Sequence, residues 1–176
     1  MLLPNGHVLG VKPERETVFR VLIAYADFAL GEQAGSVGEF LRRQLEDRCG
    51  FEVRFLKFKL LRNPKLNSSA VADAVGAEVI IIAVRQNEEL PREVRDWIDA
   101  WIPQKCGQAA TLVALLEVAG NPGSFSAALV QLQRAASRAG LGFVVQLIPP
   151  AESDTAFVTW QETASATVHE GWGIND

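Results

Sequence analysis

The 176-residue chain has only two cysteines, two histidines, one methionine and one tyrosine. Cys49 and Cys106 are far apart, each beside a glycine and near an expected helix end. That spacing gives neither a disulfide framework nor a zinc ligand set, and free thiols in a reducing compartment are expected. His7 and His169 lie in the two termini, which leaves nothing to build a histidine-based catalytic or metal site around. Neither a Gly-x-Ser-x-Gly elbow nor a P-loop is present. No apolar run approaches the roughly 20 residues that span a bilayer. The start, MLLPNGHVLGVKPERET, lacks the charged region and sustained apolar stretch of a signal peptide. A soluble, cytoplasmic protein is the expectation. An excess of positive charge is also missing. The 17 Lys and Arg against 21 Asp and Glu give a formal net charge of −4, which argues against nucleic acid and anionic membrane as partners.

What is present is a hydrophobic fraction of 48%, enough for a core in a chain of one-domain length. Residues 1–16 are broken by Gly6, Gly10 and Pro13 and read as a leader. Residues 17–148 read as one domain, and 149–176 as a C-terminal tail packing on it. VFRVLIAYA, 18–26, is continuously apolar from Val21 to Ala24, as in a strand covered on both faces. A helix is predicted over about 32–48, with Val37, Phe40, Leu41 and Leu45 as its buried stripe and Gly50 as a left-handed cap beyond it. FEVRFLKFKL, 51–60, alternates with Phe51, Val53 and Phe55 on one side, which predicts a half-exposed edge strand. Arg54, Lys57 and Lys59 then make a solvated edge that discourages aggregation.

A short helix over about 67–75, capped by Asn67 or Ser68, leads to AEVIIIAV, 77–84, the central strand. LPREVRDWIDAWIPQ is a helix opened by Pro91 and ended by Pro103, burying Val94, Trp97, Ile98, Trp101 and Ile102. AATLVALLEV, 109–118, is a fourth strand. A helix over about 124–139 follows, capped by Ser124 and ended by Gly140. GFVVQLI, 142–148, is a fifth strand stopped by Pro149 and Pro150. Strands separated by helix-length crossovers predict a parallel, doubly wound α/β sheet in three layers, α/β/α. The tail AESDTAFVTWQETASATV reads as a short helix over about 153–164 or as an extended arm. Its Phe157, Trp160 and Trp172 either cover a homodimer surface or fold back on their own core.

In such a sheet a ligand sits beyond the carboxyl ends of the strands. Three loops converge there: YADFALGEQ, RQNEELP and EVAGNPGS. The candidate ligand-contacting residues are Asp27, Phe28, Gln86, Asn87, Glu88, Asn121 and Ser124. Asp27 is expected foremost as a helix cap; a partner meeting it would be cationic or a hydrogen-bond donor, with Phe28 adding an apolar contact. Adjacent carboxylates such as Glu88 and Glu89 read as a solvated acidic turn near a helix's positive end. No catalytic or metal-ligating residue is assigned.

Five alternating units of this length resemble the flavodoxin-like fold, which implies the strand order 2-1-3-4-5. Within it, IIIAVRQNEELPREVRDWIDAW, 80–101, is similar to the NADPH-dependent FMN reductases. That family follows an apolar strand with a Pro-x-Tyr-Asn-like loop, a Pro, and a helix ending like Lys-x-x-Ile-Asp-Trp. Asn87, Pro91, Arg95, Ile98 and Asp99 occupy matching places, with Trp101 nearby. The family's first loop is rich in Ser, Thr and Gly and wraps the FMN phosphate. Here that loop offers Asp27, Glu32 and a single glycine, Gly31; the position that would stack on a flavin is Gln86. The expectation is therefore a non-catalytic flavodoxin-like binding or regulatory module without a cofactor, engaging an unidentified protein or small molecule. The alternative is an FMN-dependent NAD(P)H oxidoreductase with a divergent cofactor loop. Response-regulator receiver domains share five parallel strands. The third strand ends in Val84–Arg85 and the fifth contains Gln146, so the acceptor Asp and the Lys of a receiver are missing.

Overall fold

The computed structural model describes residues 17–118, 121 and 126–150. The leader, the tail beyond residue 150, His7 and His169 lie outside the described residues, and so does Ser124. The elements are β1 (Val18–Tyr25), α1 (Phe28–Leu45), β2 (Gly50–Lys57), a 3-10 turn (Phe58–Arg62), α2 (Pro64–Gly76), β3 (Val79–Arg85), α3 (Arg92–Lys105), β4 (Thr111–Glu117), α4 (Ala127–Ala139) and β5 (Gly142–Ile148). All neighbouring strands are parallel, in the order β2-β1-β3-β4-β5. The chain has the flavodoxin-like fold, with β2 at the predicted edge.

Two cores flank the sheet because alternate residues of each strand face opposite layers. Leu22, Ala24, Ile80, Ile82, Val84, Leu112, Ala114 and Leu116 pack under α2, α3 and α4. Val21, Ile23, Ile81, Ala83 and Leu115 pack on the other side, where α1 contributes Leu30, Ala34 and Val37. Trp97 and Trp101 are fully buried in the first core, with ring centroids 6.0 Å apart, edge to face.

Several expected boundaries shift for local physical reasons. α1 begins four residues earlier than expected, at Phe28, because Asp27 caps it. Its buried face is Leu30, Gly31, Ala34, Val37 and Gly38, whereas Phe40 is exposed. Gly50 is the first residue of β2 and no left-handed cap; among the described residues the positive-φ glycines are Gly107 and Gly140. β2 stops at Lys57, and Phe55 is exposed at the edge, its ring against Tyr25. α2 is capped by Asn63, whose side chain accepts from Lys65 N, with Pro64 in its first turn; Asn67 and Ser68 lie inside the helix. Pro103 sits inside α3, which ends at Lys105. α4 is capped by Ser126, accepting from Leu129 N, in place of the expected Ser124. Gly140 closes α4 in the left-handed conformation as expected.

Lys105 is a buried cation that the sequence pattern does not reveal. Its ammonium donates to the carbonyls of Val75 and Ala77, at the C-terminal end of α2. Those acceptors and the negative helix end hold a charge whose pKa burial pushes down.

Candidate functional site

The strand order reverses direction between β1 and β3, which makes their carboxyl ends the topological switch point. The register there fixes the charged groups. Tyr25 pairs with Ala83, so Asp27, two residues beyond β1, comes level with Arg85. Arg85 in turn pairs with Glu117 of β4. Three side chains from adjacent strand ends thus stand in a row.

Arg85 is the hub of this row. Its Nη2 lies 2.5 Å from Asp27 Oδ2, its Nε 3.1 Å from Glu117 Oε1, and its Nη1 3.7 Å from Glu88 Oε1. The hydrogen bond and charge of Asp27, with Glu117 and Glu88 behind them, outweigh desolvation and raise the Arg85 pKa. Asp27 Oδ1 also accepts the Leu30 N–H at 3.1 Å, as an N-cap should. Burial works to raise its pKa. The Leu30 N–H and the Arg85 guanidinium together outweigh that, and the carboxyl sits below its ordinary range. Glu117 is nearly buried, while about a third of the Arg85 side chain meets water. The expected capping role of Asp27 is therefore observed, with an ion pair added to it.

The other expected residues are placed as follows. Phe28 is 70% exposed at the first position of α1, next to the Asp27 carboxylate. Gln86 is buried, its backbone N–H donating to the Glu117 carbonyl, so it presents no stacking surface. Asn87 and Glu88 are exposed in the turn after β3, where Glu88 N donates to the Arg85 carbonyl. Asn121 is exposed in the β4–α4 loop, whose remaining residues lie largely outside the described ones. Sequence reasoning missed Arg85 and Glu117 as site residues. The available signal was an arginine ending an otherwise apolar run.

The three converging loops carry Asp27, Glu32, Glu88, Glu89 and Glu117 against the single cation Arg85. Gly31 lets α1 approach Tyr25 closely: a Cβ there would lie 2.9 Å from the ring. Two recesses of about 210 and 170 Å³ lie elsewhere, one at the amino ends of β1 and β2 and one between α3 and α4. The first is lined by Arg20, Glu52, Arg54 and Asp73, which pair with one another. The switch point is thus an acidic surface with an apolar ring at its rim. Among the described residues there is no cluster of three or more His, Cys, Asp or Glu suited to a metal ion, and no helix long and apolar enough to cross a membrane.

No family model and no curated protein matches the sequence. Solved structures do match the fold. Flavodoxin 1 from Bacillus cereus superimposes with a TM-score of 0.53 at 13% identity, covering 77% of this chain and 87% of that one. The flavodoxin of Streptococcus pneumonia TIGR4 gives 0.51 at 13% identity, covering 74% and 84%. An NADH:FMN oxidoreductase, EMOB, in its apo form gives 0.50 at 16% identity, covering 74% of each chain. These likenesses show the fold. They also correct the expectation that no cofactor is involved, because the similar structures are flavodoxins and an FMN oxidoreductase, which points to flavin. The residues at the α1 N-terminus do not fit a flavin phosphate in the conformation described. The position where backbone N–H groups would hold a phosphate is filled by the Asp27 carboxylate, and the surrounding carboxylates repel a second anion.

Proposed function

We propose that the chain is a flavodoxin-like binding module that receives a partner at the carboxyl ends of β1, β3 and β4. The observation that carries this reading is the Arg85 cluster at the switch point, where Asp27 and Glu88 present carboxylates to solvent and the nearly buried Glu117 anchors the arginine. Exposed Phe28 beside it supplies an apolar anchor. A complementary partner presents lysine or arginine side chains next to an apolar group, since opposite potentials steer and register an encounter. This reading places the protein in the cytoplasm.

A second reading, an FMN-dependent NAD(P)H oxidoreductase, is favoured by the fold of the similar structures and by the 80–101 segment. Flavin is accordingly the cofactor class to test first. Asp27 occupies the phosphate position, so this reading requires its carboxylate to leave the α1 N-terminus before FMN can bind there.

Both readings are tested by titrating the full ¹⁵N-labelled chain with hexalysine and, separately, with FMN. Amide shifts from hexalysine centred on residues 27–30, 85–89 and 117 support the binding module. Saturable shifts from FMN at those same residues move the oxidoreductase reading ahead. Shifts elsewhere, or none with either probe, overturn the assignment of the site.

A further inference from the structure

The recess between α3 and α4 arises from helical spacing. Arg95, Ile98 and Asp99 share one side of α3, and Gln131, Arg134, Ala135 and Arg138 share one side of α4. Two contacts tie the segments together across it. Gln131 Oε1 accepts the Leu90 N–H at 3.3 Å, and Arg138 Nη1 donates to Asp99 Oδ1 at 2.6 Å. Gln131 and Arg138 are seven residues apart, about 10 Å along α4 at ~1.5 Å per residue. Arg134 and Ala135 lie between them, as Arg95 and Ile98 lie between Leu90 and Asp99.

Charge and apolar surface are divided within this recess. Leu90, Ile98 and Ala135 are buried and give it an apolar lining. Arg95 and Arg134 are exposed, one on each helix, and among the described residues neither guanidinium has a hydrogen bond or an ion pair. Asp99, the one carboxylate of the lining, is already held by Arg138. Three arginines against one aspartate leave a local charge of +2, in a chain whose formal net charge is −4. The other recess has no such surplus, because Arg20 and Arg54 are matched there by Glu52 and Asp73. A guanidinium presents paired N–H donors that match the oxygens of a phosphate or a carboxylate. The volume of about 170 Å³ is close to the ~150 Å³ of an apolar cavity that takes up benzene, and well below the ~300–1,000 Å³ of pockets for drug-sized ligands. A single ring matches that size.

We propose that the α3–α4 recess binds a small organic phosphate, a phosphate monoester carried on a single ring, with Arg95 and Arg134 holding the phosphate and Leu90, Ile98 and Ala135 against the ring. A phosphate monoester carries about −1.5 to −2 at neutral pH, which balances the local charge, whereas a carboxylate balances half of it. The recess shares no residue with the Arg85 cluster and is independent of what the switch point receives.

The experiment is a titration of the full ¹⁵N-labelled chain with phenyl phosphate, with inorganic phosphate and benzoate as comparison ligands. Saturable amide shifts are expected at 95–99 and 131–138, with phenyl phosphate binding at least about fivefold tighter than either comparison ligand. Arg95→Gln and Arg134→Gln should each weaken that binding about tenfold. Neither guanidinium has a partner among the described residues, so both variants should keep the wild-type thermal midpoint. Arg92→Gln, exposed on α3 outside the recess, should bind as the wild type does. Inorganic phosphate binding as tightly as phenyl phosphate overturns the proposal, because the apolar lining then contributes nothing. Benzoate binding as tightly overturns the assignment to a phosphate. Shifts centred on 27–30, 85–89 and 117, no saturable shift, or an affinity unchanged in both arginine variants overturns the site itself.

Discussion

Asp27, at the N-cap of α1, and Arg85, the last residue of β3, are 58 residues apart in sequence and meet at 2.5 Å across the point where strand order reverses. The same carboxylate caps α1 through Leu30 N–H. One residue therefore joins the start of the first helix to the end of the central strand. The separate oxygens used for the two tasks allow them to be pulled apart by substitution.

Asp27→Ala removes the cap and the ion pair, whereas Asp27→Asn keeps an acceptor for Leu30 N–H. Loss of a capping side chain costs about 1–2 kcal/mol. The Ala variant should fall in that range by urea denaturation, with the Asn variant closer to wild type. Equal losses in the two would show that the cap contributes nothing separable from the charge.

The pH dependence follows from the direction of the Asp27 shift. Its carboxyl lies below the ordinary value of 3.8 in the folded chain, so the folded state binds protons less readily than the unfolded one. The resulting stabilisation is complete above that ordinary value and fades as pH falls through the lower, folded one. The difference in urea midpoint between wild type and Asp27→Asn should be constant from pH 7 to about 5 and shrink as pH is taken below about 4. A difference that grows on acidification contradicts the assignment.

Arg85 neutralises Glu117, which is nearly buried. Removing Arg85 alone leaves that carboxylate without its partner. Arg85→Met should destabilise the chain by about 2–3 kcal/mol, below the value for a fully buried pair because a third of the guanidinium is in water. Adding Glu117→Gln should recover part of the loss. A double variant no better than the single one would show that the two side chains do not couple.

Gly31 tests the close approach of α1 to β1. A methyl group there would meet the Tyr25 ring at 2.9 Å. Despite the better helix propensity of alanine, Gly31→Ala should lower stability by about 1–3 kcal/mol, as overpacking does. A stabilised variant, read from the thermal midpoint, would mean that the ring swings aside freely.

The strands were legible because their apolar residues come in short runs, and the order of strands and crossovers then left few topologies. The start of α1 was not. Phe28, Ala29, Leu30 and Gly31 follow an Asp and contain a glycine, which reads as loop. The contact face of that helix is built from small residues, Gly31, Ala34 and Gly38, that carry no strong apolar signal. Gly38 faces Ile23, where a Cβ would stand 3.0 Å from its methyl, so closeness replaces bulk. Of the site, Asp27 and its capping role were readable from local chemistry. Its bond to Arg85 was not, because it depends on the β1–β3 register. The pairing of Arg85 with Glu117 likewise exists only once β3 and β4 are aligned.

Equilibrium binding of fluorescent hexalysine to the full chain tests whether the acidic edge at the switch point is a docking site. Binding should be saturable and salt-sensitive, and should weaken about tenfold, near 1.4 kcal/mol, in Glu88→Gln/Glu89→Gln. Binding that is indifferent to salt and to this double substitution would contradict it, and so would tight retention of FMN with no hexalysine binding.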